Sequence, residues 1–399
     1  MGRRAVIVGG SLGGLFAAGF LQELGWQVDV YERVADELAA RGAGIGTHGA
    51  LFDALRRLGV EIDERLGIRV TERICLDAEG HTVHTQRVEQ VMSHWARVYG
   101  ALKARIGREH YHPGRNFLSY IQGAEVIARF DDGSEARGDL LIGADGLRSS
   151  VRAQLIADAE PRYAGYVAWR GLVKDSELPE SLRQRLGDGY YFVLPPGEMM
   201  LCYLVPGRDW NYVWYRPTTE DELRDLCTDV SGKCHGSAIS PTLLRPELTA
   251  GVKRTARAIL APKIAELVEC SQPFFQAIYD FETPRMHGGP VALLGDAAFV
   301  ARPHVGMGVT KAALDAMSLA RSIELTPTDL NGALARYERL RSEFGRGVVR
   351  RSARIGAYIE ARARPERAWT AEELDQSPER ILMEVGTALV DIPELSLEI

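Results

Sequence analysis

Residues 4–32 read as strand, glycine turn, helix, strand, acid, and no other stretch restricts the fold as strongly. Residues 5–8 are a short apolar run, and Gly9, Gly10, Ser11, Leu12, Gly13 and Gly14 make a turn that opens a helix with Ala17, Leu21 and Leu24 on one face. Gly25 ends that helix, and residues 28–31 form a second strand closed by Glu32. In a βαβ unit this order puts free backbone N–H groups and the positive end of a helix where a pyrophosphate sits, with the acid on a ribose hydroxyl. The spacing from Gly9 to Glu32 is close to the roughly 20 residues between fingerprint and acid in such units. As GxGxxG the turn runs Gly9, Ser11, Gly14, so a serine stands where a middle glycine normally admits the phosphates. The motif alone leaves FAD and NAD equally open.

A chain of 399 residues exceeds the size at which one core stops growing, which predicts two domains sharing an interface. Lys plus Arg total 48 against 54 for Asp plus Glu, a net charge of −6, so nothing draws the chain as a whole to nucleic acid. There is no apolar run of membrane-spanning length and the N-terminus lacks a signal-peptide layout, so a cytoplasmic protein without membrane or nucleic-acid partners is expected. The five cysteines form no CxxC pair, which predicts reduced thiols and no metal site. Ten arginines between Arg336 and Arg367 interleave with Leu334, Tyr337, Leu340 and Phe344 at helical spacing, the pattern of a wet helix face.

Further along, residues 41–46 (Arg-Gly-Ala-Gly-Ile-Gly) are too glycine-rich for a helix or strand interior and read as backbone lying close to something. A helix with Leu51, Leu55 and Leu58 follows. Alternation over residues 70–85 around Ala78-Glu-Gly80 predicts a hairpin, and a second is expected from 126–130 through the turn 131–134 back to 140–142. Between residues 163 and 215 aromatic residues crowd into strand-like runs broken by Pro195-Pro-Gly197 and Pro206-Gly207, an antiparallel sheet inserted into the first domain. Residues 219–277 read as helical. Residues 291–294 return to the buried-strand pattern and 309–323 to a helix.

Three strand-end motifs in one order carry more than the first alone. They are residues 9–14 with Glu32, then Gly143-Ala-Asp-Gly-Leu-Arg-Ser-Ser-Val-Arg152, then Leu294-Gly-Asp-Ala-Ala298 followed by Pro303, Gly306 and Gly308. With them the chain resembles the single-component FAD-dependent aromatic hydroxylases, the p-hydroxybenzoate hydroxylase fold. Residues 163–171 (Tyr-Ala-Gly-Tyr-Val-Ala-Trp-Arg-Gly), Trp214-Tyr215 and Arg302-Pro-His304 extend the likeness toward members that act on hydroxypyridines.

The resemblance implies an α/β protein with a Rossmann-like FAD-binding domain, an inserted, mainly antiparallel substrate domain and C-terminal helices. The expected division is 1–70, 93–160 and 283–330 for FAD, 71–92 and 161–282 for substrate, and 331–399 for the helical segment. It implies FAD held by Gly9, Ser11, Leu12, Gly14, Glu32, Arg33, Arg41, Gly44, Asp145, Gly146, Gly295, Asp296, Pro303, Gly306 and Gly308. It further implies NADH or NADPH as co-substrate, O2, a small aromatic or heteroaromatic substrate, and a homodimer. The activity implied is hydroxylation of an electron-rich hydroxylated ring through a flavin C4a-hydroperoxide. Alternatives are a same-fold reductase or halogenase, or a non-catalytic FAD-binding sensor.

A base or acceptor near the substrate hydroxyl is then required. His304, between the Gly-Asp motif and the glycine pair, is the first candidate; His48 and Tyr203 are the others, and Trp169 and Trp214 are candidate walls for a flat ring. Two positions depart from the family pattern. Trp95 stands where an arginine usually begins the helix under the flavin, and Phe299 where a histidine usually follows Gly-Asp-Ala-Ala.

Overall fold

The computed structural model describes residues 2–36, 44–61 and 66–386. Arg41, Gly42 and residues 387–399 lie outside them. The opening βαβ unit is β1 (Arg4–Val8), α1 (Leu12–Glu23) and β2 (Gln27–Glu32), with β1 and β2 parallel from Arg4 opposite Gln27 to Val8 opposite Tyr31. Ala5, Val6 and Ile7 have no exposed surface, as a strand covered on both faces requires. Next come β3 (Gly44–Thr47), α2 (Gly49–Arg57), β4 (Gly67–Leu76) and β5 (Thr82–His94). β4 and β5 pair antiparallel, the first expected hairpin. The glycine-rich stretch is partly strand, contrary to expectation: β3 pairs with the end of β5 at a sheet edge. A Cβ on Gly44 would come within 2.8 Å of Tyr203 and of Asn211, so a closely packed edge suits glycine here.

α3 (Trp95–Ile106) leads to β6 (Tyr111–Pro113) and a small sheet of β7 (Phe117–Gln122), β8 (Val126–Phe130) and β9 (Glu135–Gly138). The second hairpin therefore closes on residues 135–138, and the expected return strand, β10 (Leu140–Gly143), instead joins β1 in parallel. Its four consecutive buried residues explain the difference, since only a strand covered on both faces tolerates an unbroken apolar run. α4 (Ser150–Leu155) follows.

The inserted region supplies β11 (Arg162–Lys174), α5 (Glu180–Leu186), β12 (Tyr190–Val193), β13 (Met199–Val205), β14 (Asp209–Pro217), α6 (Glu220–Leu226), α7 (Pro246–Ile259) and α8 (Pro262–Glu269). Residues 219–277 are not helical throughout, because β15 (Phe274–Glu282) begins inside that span and pairs antiparallel with β11. The chain then forms β16 (His287–Gly288), β17 (Val291–Leu293), β18 (Phe299–Val300), α9 (Gly308–Leu325) and α10 (Leu330–Ile355), and ends with α11 (Ala357–Ala363), α12 (Ala371–Leu374) and α13 (Pro378–Glu384).

The sheets are six-stranded (β16-β17-β10-β1-β2-β6), nine-stranded (β18-β15-β11-β14-β13-β12-β4-β5-β3) and three-stranded (β7-β8-β9). Around β12, β13 and β14 the larger sheet is buried on both faces, with alternate residues in different cores. Leu201, Tyr203, Val213 and Tyr215 belong to the core shared with α1 and α9, whereas Met200, Cys202, Tyr212 and Trp214 pack into a second core with α7 and α8. The inner face of this sheet looks toward the carboxyl ends of β1 and β10, where ligands bind in open α/β sheets.

Candidate active site

A cavity of about 420 Å³ opens at the carboxyl ends of β1, β2 and β10. Gly9, Ser11, Glu32, Arg33, Gly44, Asp145 and Gly146 line it. Gly9 sits at φ 111° with its N–H on the Tyr31 carbonyl at 2.8 Å; a Cβ there would lie 2.3 Å from the Ala144 carbonyl oxygen. A Cβ on Gly14 would lie 2.0 Å from the Gly9 carbonyl oxygen. Gly14 and Leu12 do not line the cavity: Leu12 is core, and Gly14 lets α1 close onto the turn. Ser11 caps α1 through backbone only, and the helix has no acid in its first turn, so its first N–H groups and positive end face the cavity unopposed. Glu32 is buried, accepting from Gly10 N–H and Val34 N–H, each at 2.9 Å, which holds the acid at the end of β2. That cradle fits the ADP half of a dinucleotide.

Asp145 is turned to its own chain. It accepts from Ser149 Oγ at 2.5 Å and from the Ser150 and Val151 N–H groups at 2.7 and 3.2 Å, bracing the start of α4. Trp95 begins α3, borders the cavity and stacks on Tyr99 at 4.7 Å. Arg33 is exposed at the rim.

A second cavity, of about 240 Å³, shares Gly44, Ile45, Arg170 and Gln276 with the first. On one side stand Asp296, Pro303, Gly306 and Gly308, and on the other Tyr190, Leu201, Tyr203, Val213 and Tyr215 of the nine-stranded sheet. Gly295, at φ 63°, donates its N–H to Asp315 Oδ2 at 3.0 Å, and Asp296 lies 3.7 Å from the buried Lys311 ammonium. α9 starts at Gly308 with no side-chain cap and no acid in its first turn, and a Cβ on Gly308 would meet nothing within 4 Å. An eighteen-residue helix thus points its positive end at the cavity past bare backbone, which fits the negative edge of a reduced flavin ring.

His304 lies in this wall, stacked near Tyr166 and edge-on to Tyr215. Its Nε2 is 3.0 Å from the Ser352 carbonyl, which can only accept, so we assign the proton to Nε2 and leave Nδ1 a bare acceptor with no partner among the described residues. Burial, with Arg302 adding to it, lowers the ring to about 3. His48 is elsewhere. It is a buried helix cap, with Nδ1 3.1 Å from Thr310 Oγ1 and Nε2 3.3 Å from the Gly386 carbonyl, and it lines neither cavity. Burial brings it to about 4. Both rings are therefore neutral above about pH 5. The pH dependence of kcat/KM between pH 5 and 9 should carry no limb from either; a limb near 6.5 that vanishes in His304→Asn would show that the ring titrates.

Tyr203 is buried beside Gly44, and burial holds its hydroxyl above the ordinary phenol range, which disfavours the phenolate that a base would need. Trp169 and Trp214 are on the outer face of the sheet, in the second core, and do not border the second cavity. Tyr190, Tyr215, Gln90, Arg170 and Gln276, which do, were not among the site residues expected from the sequence. Phe299 is core, packed on Gly345. No group of three His, Cys, Asp or Glu among the described residues has a metal-binding arrangement.

A family model described as FAD binding domain-like matches residues 163–280. The 2,6-dihydroxypyridine 3-monooxygenase of Paenarthrobacter nicotinovorans is 31% identical over 371 residues, covering 90% of this chain and 91% of that one. The structure of 2,6-dihydroxypyridine-3-hydroxylase from Arthrobacter nicotinovorans superposes with a TM-score of 0.84 at 30% identity, covering 90% of this chain and 93% of that one. Klebsiella pneumoniae HpxO, solved with FAD and uric acid, gives 0.77 at 25% identity, with 95% of each chain covered.

Proposed function

Because this chain belongs to the FAD-dependent aromatic hydroxylases of the p-hydroxybenzoate hydroxylase fold, we propose that it uses NAD(P)H and O2 to hydroxylate an electron-rich, already hydroxylated aromatic or N-heteroaromatic ring of the hydroxypyridine type. Bound FAD supplies the passage of electrons from NAD(P)H to O2 and the delivery of one oxygen atom to the ring. The protein's part is position and electrostatics. The α1 N-terminus and Glu32 would hold the pyrophosphate and a ribose, Asp296 the ribityl chain, and the α9 N-terminus the negative edge of the ring system. Tyr190, Tyr203 and Tyr215 would enclose a flat substrate. His304 Nδ1 would accept a hydrogen bond from the substrate hydroxyl, raising electron density on the ring carbon attacked.

The observation that carries this reading is the junction of the two cavities at Gly44, Ile45, Arg170 and Gln276, a dinucleotide cradle opening onto an aromatic-walled chamber of ring size. In the same proposal residues 1–70, 93–160 and 283–330 carry the cofactor, 71–92 and 161–282 the substrate, and 331–399 are the C-terminal helical segment. The enzyme would work in the cytoplasm, where nicotinamide nucleotides are supplied, as a homodimer. NADH and NADPH oxidation with a panel of hydroxypyridines and phenols, with product quantified, tests it. A protein that purifies without flavin, or a panel that neither accelerates oxidation nor yields product, would overturn it. His304→Asn should lower hydroxylation roughly 10²-fold with flavin content unchanged; an unchanged rate removes His304 from the reaction.

A further inference from the structure

The ring-sized cavity is closed on one side by the far end of the chain. Gly386, just after α13, donates its N–H to the His304 carbonyl at 2.9 Å and accepts from Gln90 Nε2 at 3.0 Å. Val385, Gly386, Gln90 and Tyr190 all line the cavity. One layer behind them is Arg73 of β4, 2% exposed. Its Nη1 donates to the Leu382 carbonyl and its Nη2 to Gln90 Oε1 at 2.8 Å, its guanidinium lies 5.7 Å from the centre of the Tyr190 ring, and Nε has no hydrogen-bond partner.

No carboxylate among the described residues pairs with this cation. The acids of α13 are engaged elsewhere, Glu379 with His84 of β5 at 3.5 Å, and Glu384 with Arg354 and Arg380 at 3.2 and 3.7 Å. The other titratable groups around it carry no charge at neutral pH. They are Tyr190 of β12, raised to about 12 by burial, His48 at the head of α2, lowered to about 4, and Cys75 on β4, raised to about 12. Arg170, in the cavity wall, also has no carboxylate partner among the described residues, with Nη1 on Gln276 Oε1 at 3.1 Å and Nε unpartnered among them. A guanidinium cannot lose its proton, and a buried charge without a counter-charge is costly unless something anionic arrives.

We propose that Arg73 is a positioning residue for substrate charge: acting through Gln90 and the Leu382–Gly386 strap, it makes the cavity take the ring with one hydroxyl deprotonated, a second being left to donate to His304 Nδ1, in preference to the neutral form. The inference rests on the hydroxylase reading and narrows its substrate class. Neutral histidines leave the ligand itself as the titrating group, so the preference is readable in binding.

The test titrates FAD-loaded enzyme with 2,6-dihydroxypyridine and with 2,6-dimethoxypyridine, which has no ring hydroxyl to lose. Binding is followed by flavin absorbance at pH values spanning the free ligand's own titration, for the parent, Arg73→Gln and Arg73→Lys. The parent's dissociation constant for the dihydroxy ring should fall about tenfold per pH unit below the ligand's pKa and level off above it. The dimethoxy ring should bind at least tenfold more weakly at the highest pH. Arg73→Gln should lose most of the slope and Arg73→Lys should restore it. Equal affinity for both protonation states in the parent, or an undiminished slope in Arg73→Gln, overturns the proposal. Should Arg73→Gln fail to retain FAD, Gln90→Leu, which cuts the link from Arg73 to the strap, takes its place, and an undiminished slope there overturns the proposal. If neither ring perturbs the flavin at any pH, the hydroxylase reading falls and this inference with it; binding without a slope sinks the inference only.

Discussion

Gly14→Ala is expected to give a protein that purifies colourless and melts far below its parent. The added methyl would stand 2.0 Å from the Gly9 carbonyl oxygen and 3.2 Å from Ile7 Cγ2, and the first of these is backbone, which no rotamer change can clear. Gly9 in turn is wedged 2.3 Å, in the same sense, from the Ala144 carbonyl, so α1, β1 and the end of β10 are locked together through bare backbone. To accept the methyl, α1 would have to back away from β1, and its open N-terminus would leave the place where the pyrophosphate is held. Ordinary overpacking costs about 1–3 kcal/mol, and a backbone clash belongs at or above the top of that range, a large share of a total stability of about 5–15 kcal/mol. Ser11→Gly is the control. Ser11 has extended backbone at φ −81° and makes no side-chain cap, so this change should leave flavin content and melting temperature nearly unaltered. Flavin absorbance of the purified proteins and thermal melts decide the matter. A yellow Gly14→Ala protein with a parental melting temperature would show that the turn does not need its glycine there.

The parts of the site that were legible in the sequence are those where backbone geometry demands a residue type at a fixed spacing. Gly9 and Gly14 are forced by close approach, Gly146, Gly295 and Gly306 by positive φ, and Glu32 by its place at the end of β2. A side chain at any of these glycines would collide or strain, so the spacing itself carries the information. The ring chamber was less legible because it is assembled from one residue each on many strands: Gln90 of β5, Arg170 of β11, Tyr190 of β12, Tyr215 of β14 and Gln276 of β15. Alternation tells that Trp214 and Tyr215 look opposite ways. It does not tell which way is inward, since at β14 both faces of the sheet are covered by apolar cores. The tryptophans, the larger and more conspicuous side chains, went to the outer one. Residues 140–143 were misassigned for a related reason: the nearby turn drew them into a hairpin, while their unbroken apolar run already marked a strand covered on both faces. His48 looked like a cavity residue because the glycines before it do reach the cavity, yet its ring turns back to Thr310 and Gly386.

The second large effect is expected at Arg302, the residue before Pro303, and its size falls as pH falls. Arg302 is fully buried and donates Nε to Asp280 Oδ1 at 2.8 Å, and Nη2 to Asp280 Oδ2 at 2.7 Å and Glu360 Oε2 at 2.5 Å. Its Nη1 reaches the Tyr166 hydroxyl at 3.4 Å, and its N–H is held by Ser352 Oγ at 3.0 Å. One cation thus ties β15, β11 and α11 to the turn that carries His304. Arg302→Met removes the guanidinium and leaves two carboxylates facing each other, with Arg162, half exposed, still bridging them and Arg364 still paired with Glu360 at 2.8 Å. Breaking a buried pair from one side costs about 3–5 kcal/mol, enough to lower the melting temperature substantially and to loosen His304 against the cavity. Burial alone would raise the Glu360 carboxyl, but Arg302 and Arg162 outweigh it and hold the group below the ordinary carboxylate range. In the parent, then, Glu360 contributes stability that is present above pH about 4.3 and is lost as pH falls through its depressed folded value. In Arg302→Met the balance shifts toward burial and the folded carboxyl moves upward, so protonation relieves the repulsion. The variant's deficit in melting temperature should be greatest near pH 8 and shrink toward pH 5, where the parent has not yet begun to lose its own contribution. Arg302→Met with Glu360→Gln, which removes one of the two facing charges, should recover part of the loss at pH 8 and little at pH 5. Melting curves of the three proteins across that range test the assignment, and a deficit independent of pH, unrelieved by Glu360→Gln, would mean that Arg302 serves by packing and not by charge.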